Sequence, residues 1–324
     1  MSPTNPPAHR LAILDDHQDV ALDFAPWTTL EDVEIVVFHD TLATARDTVE
    51  ALAGFDIIVA MRERTAFDAE IIAGLPGLKL LVTTGKVNAS IDLDAATGAG
   101  ITVCGTAGST TATPELTWAL LMAWMRDVPA QQASLRAGTW QNGTDVGFGL
   151  CGSTLGILGL GRIGSRIAAY GAAFGMDIIA WSQNLEADRA AAAGARLVGR
   201  EELFASADVL SVHLQLSERT RGLVDETNLR LLGPAGLLVN TSRAAIVDQE
   251  AMLRGLHEGW LGGAALDVFD VEPLPADHPV IAAPRTVLSP HLGYVTRQTY
   301  EVFYGQAFED VKAWLAGAPL RRLN

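Results

Sequence analysis

The stretch Leu155-Gly-Ile-Leu-Gly-Leu-Gly-Arg-Ile-Gly164 decides the fold of this 324-residue chain. The apolar run 155–160 leads directly into the pattern Gly159-x-Gly161-x-x-Gly164. A helical apolar pattern follows as far as Phe174, and a second apolar run occupies 178–181. Strand, glycine turn, helix and strand in this order are typical of the unit that binds a dinucleotide pyrophosphate at a helix N-terminus. The pattern alone is weak evidence, and its flanking strand and helix make a nucleotide site the favoured interpretation.

Each glycine of the pattern has its own expected use. Gly159 permits a tight turn, Gly161 lets the phosphates approach the backbone, and Gly164 lets the helix pack closely on the strand. The turn and the first helical residues are therefore the predicted cofactor-binding segment, which comprises Gly159, Gly161, Arg162, Ile163 and Gly164.

Composition limits the partners of the chain. The sequence is 49% hydrophobic and 19% charged, as in an ordinary folded protein, and it is long enough for two domains. A net charge of −15 argues against nucleic acid or an anionic membrane surface as a partner. Cys104 and Cys151 are far apart and lack metal-ligand spacing, so we expect two reduced thiols and no metal site. We find no signal-peptide pattern and no transmembrane run, and the predicted location is the cytoplasm.

Short apolar runs alternate with helical patterns over residues 10–104. This alternation predicts parallel strands joined by right-handed crossovers, in an open α/β domain without a GxGxxG pattern of its own. The predicted strands are 11–14, 35–38, 57–60, 78–82 and 101–104, and the predicted helices lie near 17–25, 41–53, 68–73 and 90–98.

Residues 113–137 have the pattern of one long helix. Pro114 and Glu115 suit its first turn, and 118–124 is apolar almost all round. Such a helix is expected to be buried on more than one side, as a bridge between domains or in a subunit interface.

After residue 181 the alternation resumes, with predicted strands at 209–214, 237–240, 264–268 and 287–288 and a predicted helix at 249–257. A last helix, capped by Thr296, is free to cross back to the first domain. The predicted fold class is thus α/β, with two Rossmann-like or flavodoxin-like parallel-sheet domains. The nucleotide-binding domain, 113–294, is inserted into a substrate domain made of 1–112 and 295–324.

An ordered set of motifs over nearly the whole chain resembles the D-isomer-specific 2-hydroxyacid dehydrogenases, in particular glyoxylate/hydroxypyruvate reductases. The motifs are Gly85 with 88–93, Pro114-Glu115, 155–164, 212–214 with Thr220, 240–243 with 246–248, 267–269 with Glu272-Pro273, and 289–293. The resemblance implies two α/β domains with the active site in the cleft between them, an NAD(P) cofactor, a small 2-oxo or 2-hydroxy acid as substrate, and a homodimer.

The resemblance also implies the catalytic groups. Arg243 is the cation that holds the substrate, His291 is the acid/base, and Glu272 orients His291. These roles suit 2-oxo acid reduction, because a planar guanidinium can bind a carboxylate or carbonyl with two donors and an imidazole exchanges protons near neutral pH. Each residue has a structural alternative: a surface cation, a turn at Glu272-Pro273, and a core histidine. All three follow predicted strands of the nucleotide domain, which favours the catalytic interpretation.

Further positions are assigned by the same resemblance. The cofactor positions are His213, Thr220, Thr241, Ser242, Asp267 and Gly293, and the substrate positions are Gly85, Lys86, Val87 and Arg62. Backbone N–H groups of 85–88 are expected to meet the substrate carboxylate. Lys86 stands where many family members have a small or apolar residue, so it is a candidate extra cation. Substrate specificity is expected to depend on loops 62–65, 85–88 and 139–150. Residues 62–64 are also compatible with a solvated turn, and Trp140 could instead fill a gap between the domains.

The residues after the second strand of the nucleotide domain bear on the cofactor. NAD-specific sites place an acid there, on the ribose 2′-hydroxyl. This chain has Ser182, Gln183 and Asn184, whose hydroxyl and amide groups can bind a 2′-phosphate that a carboxylate would repel. We therefore expect NADPH to be accepted. Preference for NADPH and use of both cofactors stay open, because neither Gln183 nor Asn184 is an arginine that would bind the 2′-phosphate by its charge.

The leading hypothesis is a nicotinamide-dependent 2-oxo acid reductase. One alternative is a dinucleotide-sensing corepressor on the same fold, which the lack of an extra interaction segment disfavours. A second alternative is a phosphoglycerate dehydrogenase-like enzyme. The sequence shows no added regulatory domain after the closing helix, so nothing in it specifically favours this alternative. Formate and phosphite oxidation have no positive sign in the sequence.

Overall fold

The computed structural model describes residues 7–42, 44–141 and 146–324. The chain forms two compact units, Met1–Ser109 with Val295–Asn324 and Thr110–Tyr294. Over the described residues, the strands of each unit form one sheet, and neighbouring strands of the sheet pair in parallel. The predicted fold class, two parallel-sheet α/β domains with one inserted into the other, is confirmed.

The first unit has a sheet in the order β2-β1-β3-β4-β5, with helices on short connections. Its strands are β1 His9–Ile13, β2 Val33–Val37, β3 Ile57–Ala60, β4 Leu80–Thr83 and β5 Thr102–Gly105. Its helices are α1 Ala45–Leu52, α2 Ala69–Gly74 and α3 Leu93–Gly98. The side chains of Thr44, Asp68 and Asp92 accept backbone N–H groups at the starts of these helices, so each begins at an N-cap.

The prediction of a helix near 17–25 is wrong. This segment contains one single 3-10 turn, Ala21–Asp23, and a second one, Trp27–Thr29, follows it. The Asp16 carboxylate accepts the N–H groups of Val20 at 2.9 Å and Ala21 at 2.8 Å, which fixes a turn, and Pro26 prevents its continuation as an α-helix.

The second unit has a seven-stranded sheet in the order β12-β11-β10-β9-β6-β7-β8, the doubly wound arrangement of dinucleotide-binding domains with one further strand. Its strands are β6 Thr154–Leu158, β7 Asp177–Trp181, β8 Arg196–Leu197, β9 Val209–Val212, β10 Leu237–Asn240, β11 Gly263–Leu266 and β12 Thr286–Leu288. Its helices are α4 Ala112–Met125, α5 Val128–Arg136, α6 Arg162–Ala173, α7 Ala187–Ala192, α8 Arg200–Ser206, α9 Glu226–Leu232 and α10 Gln249–Glu258. The strand order reverses between β6 and β9, which is where such sheets bind ligands.

The single long helix predicted over 113–137 is also wrong, because α4 ends at Met125 and α5 begins at Val128. Asp127 between them is left-handed, with φ 47°. Pro129 explains the break, since within a continuous helix its ring would collide with the carbonyl of Met125 and its missing N–H would leave that carbonyl unbonded.

The last helix, α11, spans Arg297–Leu315 and belongs to the first unit. The Thr296 side chain accepts the N–H of Thr299 at its start, and Tyr300, Phe303, Ala307 and Val311 are buried as the apolar spacing predicts. After α11 the chain pairs with the open edge of β5, where the N–H of Leu323 donates to the carbonyl of Val103. Among the described residues no helix is long and apolar enough to cross a membrane.

Candidate active site

The glycine turn after β6 has the conformation that a pyrophosphate site needs. Gly159 has φ 102°, and a Cβ there would lie 2.8 Å from the backbone of His213. A Cβ at Gly164 would lie 2.2 Å from the Gly159 carbonyl oxygen, so only glycine lets α6 approach the turn. A Cβ at Gly161 would meet nothing within 4 Å.

Gly161 is the N-cap of α6, and no side chain caps this helix. The first N–H groups of the helix thus receive no hydrogen bond from an N-cap side chain, and there is clearance beside Gly161. These are the donors and the clearance that a dinucleotide pyrophosphate requires, so the residues present fit the cofactor.

Beyond the second strand, β7, the chain makes a tight turn at 182–185. The N–H of Leu185 donates to the carbonyl of Ser182 at 3.0 Å, and Gln183 and Asn184 are exposed. The side chains offered at the end of β7 are therefore one hydroxyl and two amides, with the first acid at Glu186.

His291 and Glu272 form a hydrogen-bonded pair. The Nδ1 atom of His291 lies 2.5 Å from Oε2 of Glu272, and the N–H of Phe269 donates to Oε1 of the same carboxylate at 2.9 Å. His291 is left-handed, with φ 54°, and both side chains are about one-quarter exposed. Because Glu272 holds Nδ1, the other ring nitrogen of His291 is the one placed to exchange a proton.

Arg243 follows β10 in a turn that Asn240 holds. The Asn240 side chain is fully buried, accepts the N–H of Ser242 at 3.0 Å and donates to the carbonyl of Arg243 at 3.0 Å. One guanidinium nitrogen of Arg243 donates to the Ser242 carbonyl at 2.8 Å.

Asp267, at the end of β11, anchors the loop that carries His291. Its Oδ1 accepts the Ser289 hydroxyl at 2.5 Å and the N–H of Leu292 at 2.7 Å, and its Oδ2 accepts the N–H of Gly293 at 2.8 Å. Burial raises the pKa of Asp267, while the hydrogen bonds from Ser289 and Leu292 act in the opposite sense. Sequence reasoning assigned Asp267 to the cofactor and missed this anchoring, since spacing along the chain does not tell which amides a buried carboxylate receives.

The remaining predicted cofactor positions lie on neighbouring loops at the same edge of the sheet. The Ser242 hydroxyl donates to the Leu214 carbonyl at 2.5 Å, and the hydroxyls of Thr241 and Thr117 lie 2.7 Å apart. Burial lowers the pKa of His213 to about 3, so its ring is neutral near pH 7, and it lies 2.8 Å from the Ser211 hydroxyl. Thr220 donates to the Gln215 carbonyl at 2.7 Å and closes the loop after β9.

Topology explains why these residues come together. Strands β10, β11 and β12 are neighbours and parallel, and Arg243, Glu272 and His291 follow their carboxyl ends. The glycine turn follows β6 at the same edge. The structure thus gathers the predicted catalytic residues and the predicted pyrophosphate turn at one edge of one sheet.

The first unit carries the predicted substrate loops at the carboxyl ends of β3 and β4. Arg62 is left-handed, with φ 53°, and its guanidinium donates to the Thr84 carbonyl at 3.0 Å. Gly85 has φ 98°, and a Cβ there would lie 1.8 Å from Nη1 of Arg62. The glycine therefore leaves room for the guanidinium.

One expectation for this loop needs correction. The N–H of Gly85 donates to the Thr106 hydroxyl at 2.8 Å, so it is already engaged and not aimed at a substrate. Lys86 is exposed, and Val87 exposes 72% of its surface. In the third predicted specificity loop, 139–150, Trp140 exposes 70% of its surface, and residues 142–145 lie outside the described residues.

One group of side chains in the first unit has metal-ligating types close together. The ligand atoms of Asp16, Asp19 and His39 lie within 4.8 Å of one another. Asp16 already accepts backbone N–H groups from Val20 and Ala21, which accounts for its burial without a metal ion.

Comparison with known proteins agrees with this geometry. The NAD binding domain of the D-isomer specific 2-hydroxyacid dehydrogenases matches residues 118–293. A glyoxylate reductase of Aeropyrum pernix is 40% identical over 258 residues, which are 77% of each chain. A D-3-phosphoglycerate dehydrogenase of Bacillus subtilis is 34% identical over 275 residues, which are 85% of this chain and 52% of that one, so this chain spans about half its length. The crystal structure of a phosphoglycerate oxidoreductase from Vibrio cholerae superimposes with a TM-score of 0.90 at 39% identity, over 96% of this chain and 100% of the other.

The chain belongs to the D-isomer specific 2-hydroxyacid dehydrogenase family. It is accordingly a nicotinamide-dependent oxidoreductase that acts on the CH–OH group of small 2-hydroxy acids or the carbonyl of the matching 2-oxo acids. The predicted family and reaction class are confirmed, and the corepressor alternative is not favoured.

Proposed function

We propose that this chain reduces glyoxylate or hydroxypyruvate to the corresponding 2-hydroxy acid with a reduced nicotinamide cofactor. The observation that carries the proposal is the His291–Glu272 pair, with Nδ1 2.5 Å from Oε2, at the same sheet edge as Arg243 and the glycine turn. An acid/base, a cation and a dinucleotide turn are the three components that a 2-oxo acid reductase needs.

In this proposal His291 acts as the proton donor. The nicotinamide, when bound, supplies the hydride to C2 of the oxo acid. Glu272 keeps Nδ1 of His291 protonated, so the proton for the developing hydroxyl oxygen comes from Nε2. The imidazole is then neutral with its Nδ1 hydrogen bond intact, and it accepts a proton in the reverse reaction.

Arg243 holds the negative charge of the substrate. Its guanidinium offers several N–H donors in one plane, which suits a carboxylate beside a carbonyl. The Asn240 side chain holds the backbone turn that carries Arg243, which supports the proposal that Arg243 meets the substrate from an ordered turn.

The loop 85–88 of the first unit is also proposed to bind the substrate carboxylate. The N–H groups of Lys86 and Val87 are the donors we assign, since the N–H of Gly85 already binds Thr106. Arg62 and the Lys86 ammonium add positive charge, which would favour an anionic substrate.

We assign the phosphates of the cofactor to the turn 159–164 and its adenine ribose to the turn 182–184. The hydroxyl of Ser182 and the amides of Gln183 and Asn184 support acceptance of NADPH, since the turn adds no negative charge that would repel a 2′-phosphate. Both NADPH and NADH are expected to bind.

A homodimer is the proposed assembly. Large apolar side chains are exposed in the segment 128–148: Val128, Leu135, Trp140, Val146 and Phe148. Their exposed fractions reach 70% at Trp140 and 91% at Val146, and exposed apolar side chains of this size are ones that a partner surface can cover. Sedimentation velocity tests this assembly, and a monomer at micromolar concentration would contradict it.

The test of the proposed function is an absorbance assay of NADH and NADPH oxidation. The substrate panel contains glyoxylate, hydroxypyruvate, phosphohydroxypyruvate and larger 2-oxo acids. We expect turnover of the two smallest acids, dependent on His291. Turnover confined to phosphohydroxypyruvate would favour the phosphoglycerate dehydrogenase alternative. Tight cofactor binding without turnover of any acid would contradict the reductase proposal.

A further inference from the structure

Glu272 lies in a loop without regular secondary structure, between the end of β11 and the 3-10 turn Pro279–Ala282. Apolar side chains fix the loop at its two ends, where Phe269 is 8% exposed and Val280 is 1% exposed. Of the intervening side chains, Leu274 packs against the core and most of the others are exposed. The carboxylate of Glu272 itself is about one-quarter exposed, so core packing alone does not fix it.

A second histidine–carboxylate pair closes this loop. The Nε2 atom of His278 lies 3.1 Å from Oδ1 of Asp270, and the N–H of Val280 donates to Nδ1 of His278 at 3.3 Å. The His278 side chain is 14% exposed, whereas Asp270 is 46% exposed. Nδ1 of His278 thus accepts the Val280 N–H, which leaves Nε2, the nitrogen nearer Asp270, as the protonated ring nitrogen.

We propose that the Asp270–His278 pair is a clasp that positions Glu272 on His291. The pair joins the two sides of the loop on either side of Glu272, so it limits the positions that the carboxylate can take. Without the clasp, the hydrogen bond from the Phe269 N–H to Glu272 and the packing of Leu274 on the core remain, and the exposed segment 275–277 loses its tie to Asp270. His278 and Asp270 are therefore positioning residues for the proposed acid/base pair, and the inference rests on the proposed function of His291.

Replacing His278 by Asn or by Gln tests separately its contact with the Val280 N–H and its contact with Asp270. His278→Asn keeps an acceptor for the Val280 N–H near the Nδ1 position, but it is too short to reach Asp270. His278→Gln places an N–H donor near the Nε2 position and keeps the contact with Asp270. On the other side, Asp270→Ala removes the acceptor and Asp270→Asn retains it. Arg196→Gln is the matched control, because it breaks an exposed 2.7 Å ion pair between Arg196 on β8 and Glu202 on α8, away from the loop.

Two measurements test the clasp: the pH profile of kcat for the oxo acid that the wild type reduces best, and the NMR signal of the proton between His291 and Glu272. We expect His278→Asn and Asp270→Ala to lower kcat about 10-fold, a part of the roughly 100- to 10,000-fold that a positioned acid/base contributes. The pH profile of kcat should change in these two variants and the shared-proton signal should weaken, because the Glu272 carboxylate is no longer held against the His291 ring. His278→Gln, Asp270→Asn and Arg196→Gln should stay within about twofold of the wild type.

A purely structural role gives a different result. If His278→Asn and Asp270→Ala lower the melting temperature but keep the wild-type pH profile and the wild-type proton signal, the proposal is overturned. Asp270→Ala changes an exposed side chain, so it serves if His278→Asn does not fold. If the wild type reduces no oxo acid, the proposed function fails, and the proton signal still decides the clasp: loss in the two variants supports it, and an unchanged signal overturns it.

Discussion

The Nδ1 atom of His291 lies 2.5 Å from the Oε2 atom of Glu272, and the second carboxylate oxygen of Glu272 accepts the N–H of Phe269. The carboxylate therefore fixes one ring nitrogen of His291 and leaves Nε2 for the substrate oxygen. His291 also has φ 54°, a conformation that asparagine tolerates better than most residues.

His291→Asn should abolish turnover without disturbing the loop. Asparagine supplies no proton near neutral pH, so kcat should fall by roughly 100-fold or more. The dissociation constant of NADPH, measured by fluorescence titration, should stay within about twofold, since the dinucleotide is assigned to the turn 159–164. The control is His257→Asn on the exposed side of α10, which should behave as wild type. A large loss of cofactor affinity in His291→Asn would show that its proposed role is wrong.

Arg243→Lys keeps the positive charge and removes the planar fork. We expect kcat/KM for the oxo acid to fall by roughly 10- to 1,000-fold, as when one or two charge-assisted hydrogen bonds are lost. Steady-state kinetics with saturating cofactor measures it. Arg230→Lys, on the exposed face of α9 beside Glu226, is the matched control. Near-normal kinetics in Arg243→Lys would remove this residue from the site.

Ser182→Asp should shift cofactor use toward NADH. A carboxylate after β7 can accept the ribose 2′-hydroxyl of NADH and repels the 2′-phosphate of NADPH. The measured quantity is the ratio of kcat/KM for NADPH to that for NADH, which should fall about 10-fold or more, equivalent to roughly 1.4 kcal/mol. Ser206→Asp, at the exposed end of α8, adds the same charge elsewhere and should leave the ratio unchanged. An unchanged ratio in Ser182→Asp would contradict the assignment of the turn 182–184.

Most of the fold could be predicted because its strands are short apolar runs between strong turn signals. The glycine pattern at 159–164 located the central strand and its helix, and the closing helix was indicated by Thr296 and the apolar spacing after it. The failures are local. Asp16 receives amides that would otherwise begin a helix, and Pro129 interrupts a pattern whose apolar spacing continues through it. In both cases a single side chain prevented the helix that the apolar spacing predicts.

The candidate site was predictable in its residue types and less so in its supporting contacts. Asn240, Asp267 and His278 each use two or more polar atoms on backbone or loop groups. Such contacts join residues that are distant in sequence or follow from local turns, so neither hydrophobic periodicity nor residue spacing predicts them. The occupied N–H of Gly85 was missed for the same reason, since its acceptor Thr106 lies beyond the following strand.

Asp310 gives the first unit a defined pH dependence of stability. This carboxyl on α11 is fully buried, its Oδ1 accepts Nε of Arg321 at 3.0 Å, and its Oδ2 has no hydrogen-bond partner among the described residues. Burial raises the pKa of Asp310 from 3.8 to about 6, although Arg321 opposes that effect. The folded protein therefore binds this proton more tightly than the unfolded chain does.

The sign of the effect follows from that difference. The contribution of Asp310 to stability is fully present below about pH 4 and is lost as the pH rises through about 6, because the folded state must then bury a charge. Asp310→Asn cannot ionise, so the free energy of unfolding of the wild type minus that of the variant should fall between pH 4 and pH 7, by on the order of 1–3 kcal/mol. Urea denaturation of both proteins at each pH measures this difference, in which titrations shared by the two cancel. A difference that stays constant over this range would mean that the Arg321 ion pair balances burial, and one that rises with pH would mean that the ion pair outweighs it. In either case the folded protein would not favour the protonated carboxyl.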